Sequence, residues 1–181
     1  MVDGDLKIPG LEIDQDMRWA IAAKCVANGM EGAAARVARE LKSDPSDRGQ
    51  RAKLRCDVSA PDPAVKADAW ARINGEGYGS LYLTGAAMGG FHWWAQASLL
   101  EAYTERFFDQ LPAIFRERDK EFAADYFRSL LPGHRVEQAV LDRSERVRAS
   151  LGEDQASLVR MLREANDDLS RAIRCRRFAD S

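Results

Sequence analysis

The chain has 181 residues, 45% hydrophobic and 31% charged, which suits one globular domain burying roughly 70% of its unfolded surface. A formal net charge of -2 gives no overall attraction to nucleic acid or to an acidic membrane surface. No apolar run is long enough to span a membrane, so neither partner is expected.

Residues 1–13 read as an extended lead-in, because Pro9 and Gly10 forbid a helix there. A first helix is predicted from Asp14, whose carboxylate can cap the free amides, to Asn28-Gly29. Its wide apolar face comprises Met17, Trp19, Ile21, Ala22, Cys25 and Val26. A second, about Gly32 to Lys42, repeats Ala34, Val37, Ala38 and Leu41 at helical spacing. Asp44-Pro45 reads as a cap followed by proline, opening a third helix to Val58. This is the most polar of the set and is expected at the outside.

Asp62-Pro63 repeats that signal and opens a fourth helix, with Val65, Ala69, Trp70 and Ile73 on one face. Asn74 to Gly79 is a loop, and a fifth helix runs from Ser80 to Met88, where Gly89-Gly90 is expected to break it. Phe91-His92-Trp93-Trp94 follows as an aromatic connection. The sixth helix begins near Gln96 and aligns Leu100, Tyr103, Phe107, Leu111 and Ile114, with Pro112 expected to kink or split it. Asp119 caps a seventh, carrying Ala123, Tyr126, Phe127 and Leu130 and stopped by Pro132-Gly133. An eighth carries Val136, Ala139, Val140 and Val147. A ninth, from about Glu153, sets Leu158, Met161, Leu162, Ala165, Leu169 and Ala172 against Arg160, Arg163, Arg171 and Arg174.

No strand-like alternation interrupts this series. The expected class is all-α, about nine helices in antiparallel pairs over residues 14–181 as one helical-repeat domain; short connections suit a bundle or a stacked-pair solenoid, and a right-handed α-solenoid of the HEAT or armadillo kind is favoured. A helix between two layers buries both flanks, and the wide apolar faces in the middle of the chain ask for that.

Candidate chemistry is sparse. His92 and His134 sit in no H-E-x-x-H, and a zinc site needs three or four convergent ligands, so no metal is expected in this chain. Cys25, Cys56 and Cys175 are odd in number and far apart, which reads as reduced thiols in a cytoplasmic protein. The opening residues lack the basic and apolar regions of a secretory signal. Gly75-Glu76-Gly77-Tyr78-Gly79 follows a helix and lacks Gly-Lys-Ser/Thr, so it is an interhelical turn rather than a phosphate loop. Asp167-Asp168 and Glu153-Asp154 are neighbours that diverge by about 100° on a helix. Arg171, Arg174, Arg176 and Arg177 complement the dipole of the last helix and otherwise suit an acidic partner or a peptide carboxylate. Within the aromatic group Trp70, Phe91, Trp93 and Trp94, part is core and part suits docking to another domain.

Several stretches in order carry a family likeness: Gly10-Leu11-Glu12-Ile13-Asp14-Gln15-Asp16-Met17-Arg18-Trp19, Glu40-Leu41 with Asp44-Pro45-Ser46-Asp47-Arg48-Gly49, Lys66-Ala67-Asp68-Ala69-Trp70, Gly90-Phe91, Leu99-Leu100 through Tyr103 to Glu105-Arg106-Phe107-Phe108, and Asn166 to Arg174. Through them the chain resembles the C-terminal (ERAP-like) helical domain of the aminopeptidase N family of zinc metallopeptidases, in its actinobacterial branch. The family's zinc motif and glycine-rich amine-binding motif have no counterpart here, so no catalytic or metal residue carries over. The resemblance implies the last part of a larger C-terminal domain, without catalytic residues, packing over the catalytic domain of the same polypeptide. It further implies zinc in that catalytic domain, peptide substrates for the parent, and a role in limiting their access. Arg171, Arg174, Trp93 and Trp94 are the candidate channel or docking residues. The alternatives are a free-standing helical-repeat scaffold that binds a protein, and an enzyme whose site is unrecognised.

Overall fold

The computed structural model describes Gly10 and residues 12–180. Most of the lead-in expected before residue 14 lies outside the described residues. Among these the regular structure is entirely helical, nine α-helices with two short 3-10 turns and no strand. They form two compact units that divide between Gln96 and Ala97.

The first unit holds α1 (Gln15–Ala27), α2 (Ala33–Ser43), α3 (Asp47–Val58), α4 (Pro63–Asn74), α5 (Leu81–Phe91) and a 3-10 turn over Trp94–Gln96. Asp14 accepts from the Met17 amide at 2.8 Å, and Asp62 accepts from the Ala64 amide at 2.7 Å with Pro63 behind it, as their sequences predict. Past Asn28, Gly29 takes φ +61, the left-handed turn that ends α1. The Asp44-Pro45 cap is corrected. Ser46 caps α3 by accepting from Gly49, while Asp44 accepts from the Ser46 hydroxyl and from Trp19 Nε1 at 3.0 Å. Those two bonds, the Ser46 one larger, hold the Asp44 carboxyl below its ordinary range.

The expected outer position of α3 is also corrected. α3 packs against α1, α2, α4 and α5. Its inward stripe, Gly49, Ala52 and Cys56, is narrow and small, so neighbouring helices come close while the remaining faces carry charge. Gly89-Gly90 does not break α5 for the same reason. A Cβ on Gly90 would strike the backbone carbonyl of Arg55, so this glycine is a contact point inside a helix. Trp19, Ala22, Ala23, Val37 and Cys56 form the buried centre, with Val26, Leu41, Ala52 and Trp93 packed on it.

A polar device closes the far end of this unit. Ala27, Val58 and Phe91 are the last residues of α1, α3 and α5. Buried Lys66 of α4 donates from Nζ to the Val58 carbonyl at 2.7 Å and the Phe91 carbonyl at 2.8 Å. Buried Gln96 donates to the Ala27 and Ser59 carbonyls, each at 2.8 Å. Two side chains thereby satisfy carbonyls that helix geometry leaves without partners.

The second unit holds α6 (Ala97–Glu117), α7 (Lys120–Leu130), α8 (Gln138–Ser150), a 3-10 turn over Glu153–Gln155, and α9 (Ala156–Ala179). α6 runs through Pro112 without interruption, and Gln155 Nε2 donates to the Pro112 carbonyl at 2.8 Å. The predicted stripe Leu100, Tyr103, Phe107, Leu111 and Ile114 is buried throughout. Asp119 caps α7 by accepting from Phe122 at 2.8 Å. The Phe107 and Tyr126 rings stack at 5.7 Å, with Phe108 edge-on to Phe107 at 5.2 Å. On α8, Val140 and Val147 are buried as expected, whereas Ala139 is exposed and Val136 precedes the helix.

Candidate docking groove

The first unit carries a groove of about 590 Å³. α1 contributes Asp16, Trp19, Ala20, Ala23 and Lys24; α3 contributes Arg48, Arg51, Ala52 and Arg55. Both sets follow the i, i+3, i+4, i+7 spacing that puts side chains on one helix face. Tyr82 and Ala86 of α5 and Trp93 complete the wall. Alanines keep the floor low, and buried Trp19 with half-buried Trp93 makes it aromatic. Tyr82 is 70% exposed, and the Arg51 guanidinium lies 5.6 Å from its ring centre. The rim is cationic: Arg48 pairs with Asp16, and among the described residues no carboxylate pairs with Lys24, Arg51 or Arg55.

The second unit has a groove of its own, also about 590 Å³, lined by Phe108, Phe127, Leu131, Val140 and the α9 residues Met161, Ala165, Leu169 and Ala172. Its rim is mixed in charge, with Arg128 and Arg160 against Glu164 and Asp168. In its wall the Ser144 hydroxyl donates to Asn166 Oδ1 at 2.5 Å, and Asn166 Nδ2 donates to Glu145 at 2.7 Å. Arg148, which donates to Glu145 at 2.6 Å, is the main cause of that carboxyl's lowered pKa. Ser144 therefore faces an amide oxygen, which is no general base.

Residues 1–171 match the family described as the ERAP1-like C-terminal domain. The chain belongs to this family. Aminopeptidase N of Streptomyces lividans is 32% identical over 174 residues, covering 96% of this chain and 20% of its own length. The chain thus spans about one fifth of the length of that curated relative.

The four predicted site residues fall in different units of this ERAP1-like domain. Trp93 lines the cationic groove and donates from Nε1 to the Gly90 carbonyl at 3.1 Å. Trp94, beside it in sequence, is 79% exposed. Arg171 and Arg174 lie one turn apart on the exposed face of α9. There Arg171 stands 3.5 Å from Asp168, and Arg174 donates to Ser170 Oγ at 2.8 Å. Arg176 and Arg177 reach the Val136 carbonyl and Gln138 at the start of α8.

Among the described residues no group of three or more histidine, cysteine, aspartate or glutamate side chains is placed to hold a metal. Burial pushes the Cys56 thiol up to about 12, which keeps it protonated and unreactive. No helix among the described residues is long and apolar enough to cross a membrane. Lys66 and the Lys24, Arg51, Arg55 rim were not singled out by sequence reasoning. For Lys66 a signal existed, because it falls in register with Ala69, Trp70 and Ile73 at i, i+3, i+4, i+7.

Proposed function

We propose that this chain is the noncatalytic C-terminal helical domain of a zinc aminopeptidase N, the part that packs over the catalytic domain and limits which peptides reach it. The observation that carries the reading is the family match over residues 1–171, together with a chain spanning 20% of its aminopeptidase N relative. In this reading zinc and the peptide-cleaving residues belong to the upstream catalytic domain of a cytoplasmic parent. The helices here form the last part of a right-handed stack of antiparallel pairs. Arg171 and Arg174, on the exposed side of α9, and exposed Trp94 are available to a channel or a docking face, with Trp93 at the floor of the cationic groove.

The test is the native mass of the polypeptide carrying these residues, read by peptide mapping of a cell lysate. The expected result is a chain far larger than 20.2 kDa whose upstream peptides include H-E-x-x-H. A native chain near 20.2 kDa would remove the reading and leave a free-standing helical scaffold that binds a protein partner. The access role has its own test in the parent. Replacing Arg171 and Arg174 together is expected to change the preference for peptide length, and an unchanged preference removes these two residues from it.

A further inference from the structure

We infer that the groove between α1, α3 and α5 is the seat of an acidic segment with a large apolar side chain, supplied by the remainder of the parent polypeptide. The inference rests on the reading just given and names the surface through which this domain engages the rest of the protein. Three observations carry it. The floor is apolar and aromatic, with Trp19, Ala23, Ala52 and Trp93 beneath an opening of about 590 Å³. Tyr82 stands 70% exposed at its edge with Arg51 over the ring, an Arg-Tyr-Trp grouping of the kind that dominates binding energy in protein interfaces. Lys24, Arg51 and Arg55 carry positive charge around that floor without a carboxylate partner among the described residues, in a chain of net charge -2.

Three cations are too few for nucleic acid, where tight binders make on the order of 6–10 phosphate contacts. Their arrangement around an apolar floor fits carboxylates flanking one large hydrophobic side chain. A contiguous source of such a segment follows from length, since the aminopeptidase N relative extends well beyond the fifth that this chain spans.

The experiment uses the full-length polypeptide and a water-soluble carbodiimide, which joins a lysine amine to a carboxylate in contact with it. Mass spectrometry then reads the joined peptides. The Arg51→Lys and Arg55→Lys variants add amines at the same rim. The expected product links Lys24, or an amine supplied by either variant, to an Asp or Glu outside residues 1–181. Links confined to this chain, or links only between two copies, overturn the proposal. An independent readout is hydrogen exchange in an R51E/R55E double variant of the full-length protein. α1 and α3 amides at the groove should exchange at least tenfold faster, with amides of α4, which is in the same unit but does not line the groove, unchanged as the folding control. Unchanged exchange at α1 and α3 overturns the proposal as well. A native chain of 20.2 kDa removes the parent and both readings together, whereas a long chain without these links removes this one alone.

Discussion

The two units keep their helices together by opposite means. The first uses small residues and buried hydrogen bonds: Gly90 against the Arg55 carbonyl, and Lys66 and Gln96 holding the carbonyl ends of α1, α3 and α5. The second uses rings: Phe108, Tyr126 and Phe127 lie within 6.2 Å of Phe107 between ring centres, and ion pairs run from α8 to α6 at the edge. A core of small residues is specified by backbone distance, and a core of rings by volume. Mutations should therefore hurt the first unit by adding atoms and the second by removing them.

The largest effect is expected at Phe107. It is 1% exposed and touches three rings, so Phe107→Ala should cost about 3–5 kcal/mol, lost protection appearing in α6 and α7 amides by hydrogen exchange. A loss under about 1 kcal/mol would mean the cluster collapses around the gap, and the ring-based account would fail. Next comes the pair Gly89 and Gly90. Both lie within α5, yet a Cβ on Gly89 meets nothing within 4 Å while one on Gly90 strikes a backbone carbonyl. Gly89→Ala should gain up to about 1 kcal/mol from helix propensity. Gly90→Ala should lose about 1–3 kcal/mol despite the same gain. All four tryptophans precede residue 97, so intrinsic fluorescence during denaturation reports this unit. Equal signs for the two variants would refute the close approach of α3 and α5.

Much of the fold was legible because the chain obeys local rules. Caps at Asp14, Asp62 and Asp119 and the stripe from Leu100 to Ile114 are set by neighbours within a turn or two, which periodicity captures. Misreadings cluster where a distant contact decides. Gly89-Gly90 looks like a stop until Arg55, 35 residues earlier, is placed against Gly90. α3 looks external because charge outweighs a stripe made of Gly49, Ala52 and Cys56, residues that add little to hydropathy but set helix spacing. The cationic groove draws on stretches near residues 16–24, 48–55 and 82–93, and periodicity within a helix does not say which helices meet. Family membership was readable through ordered motifs, whereas the groove required the packing of α1, α3 and α5.

Lys66 gives the first unit a pH dependence above neutrality. Burial pulls its amine from 10.5 to about 7, while the two helix-end carbonyls at 2.7 and 2.8 Å favour keeping the proton. With the folded pKa below the unfolded one, the unfolded chain binds more protons between them. Stability should therefore rise with pH across about 7 to 10.5, by at most roughly 1.4 kcal/mol per unit, and the cost of the buried charge is fully present below that window. Donation from the Lys66 amine to the two carbonyls raises the lower limit and narrows the window. The difference between wild type and Lys66→Met, measured by denaturation from pH 7 to 10, isolates this group from other titrating residues. A flat difference would show that the folded amine keeps its ordinary pKa.

The smallest effect is expected at the edge of the second unit. Arg143 of α8 donates to Glu105 at 3.0 Å and also pairs with Asp109, both on α6. The two carboxylates are 66% and 63% exposed, so water already solvates them and screening is strong. Two partners one helical turn apart do restrict the guanidinium to one geometry, which is the condition under which a surface pair contributes at all. Arg143→Ala should therefore cost about 0.2–1 kcal/mol at low salt and less in 1 M salt, with α6 and α8 amides the only ones to exchange faster. A loss above about 2 kcal/mol that persists in high salt would place part of the second unit's stability in its polar rim. That unit would then resemble the first more than its stacked rings imply.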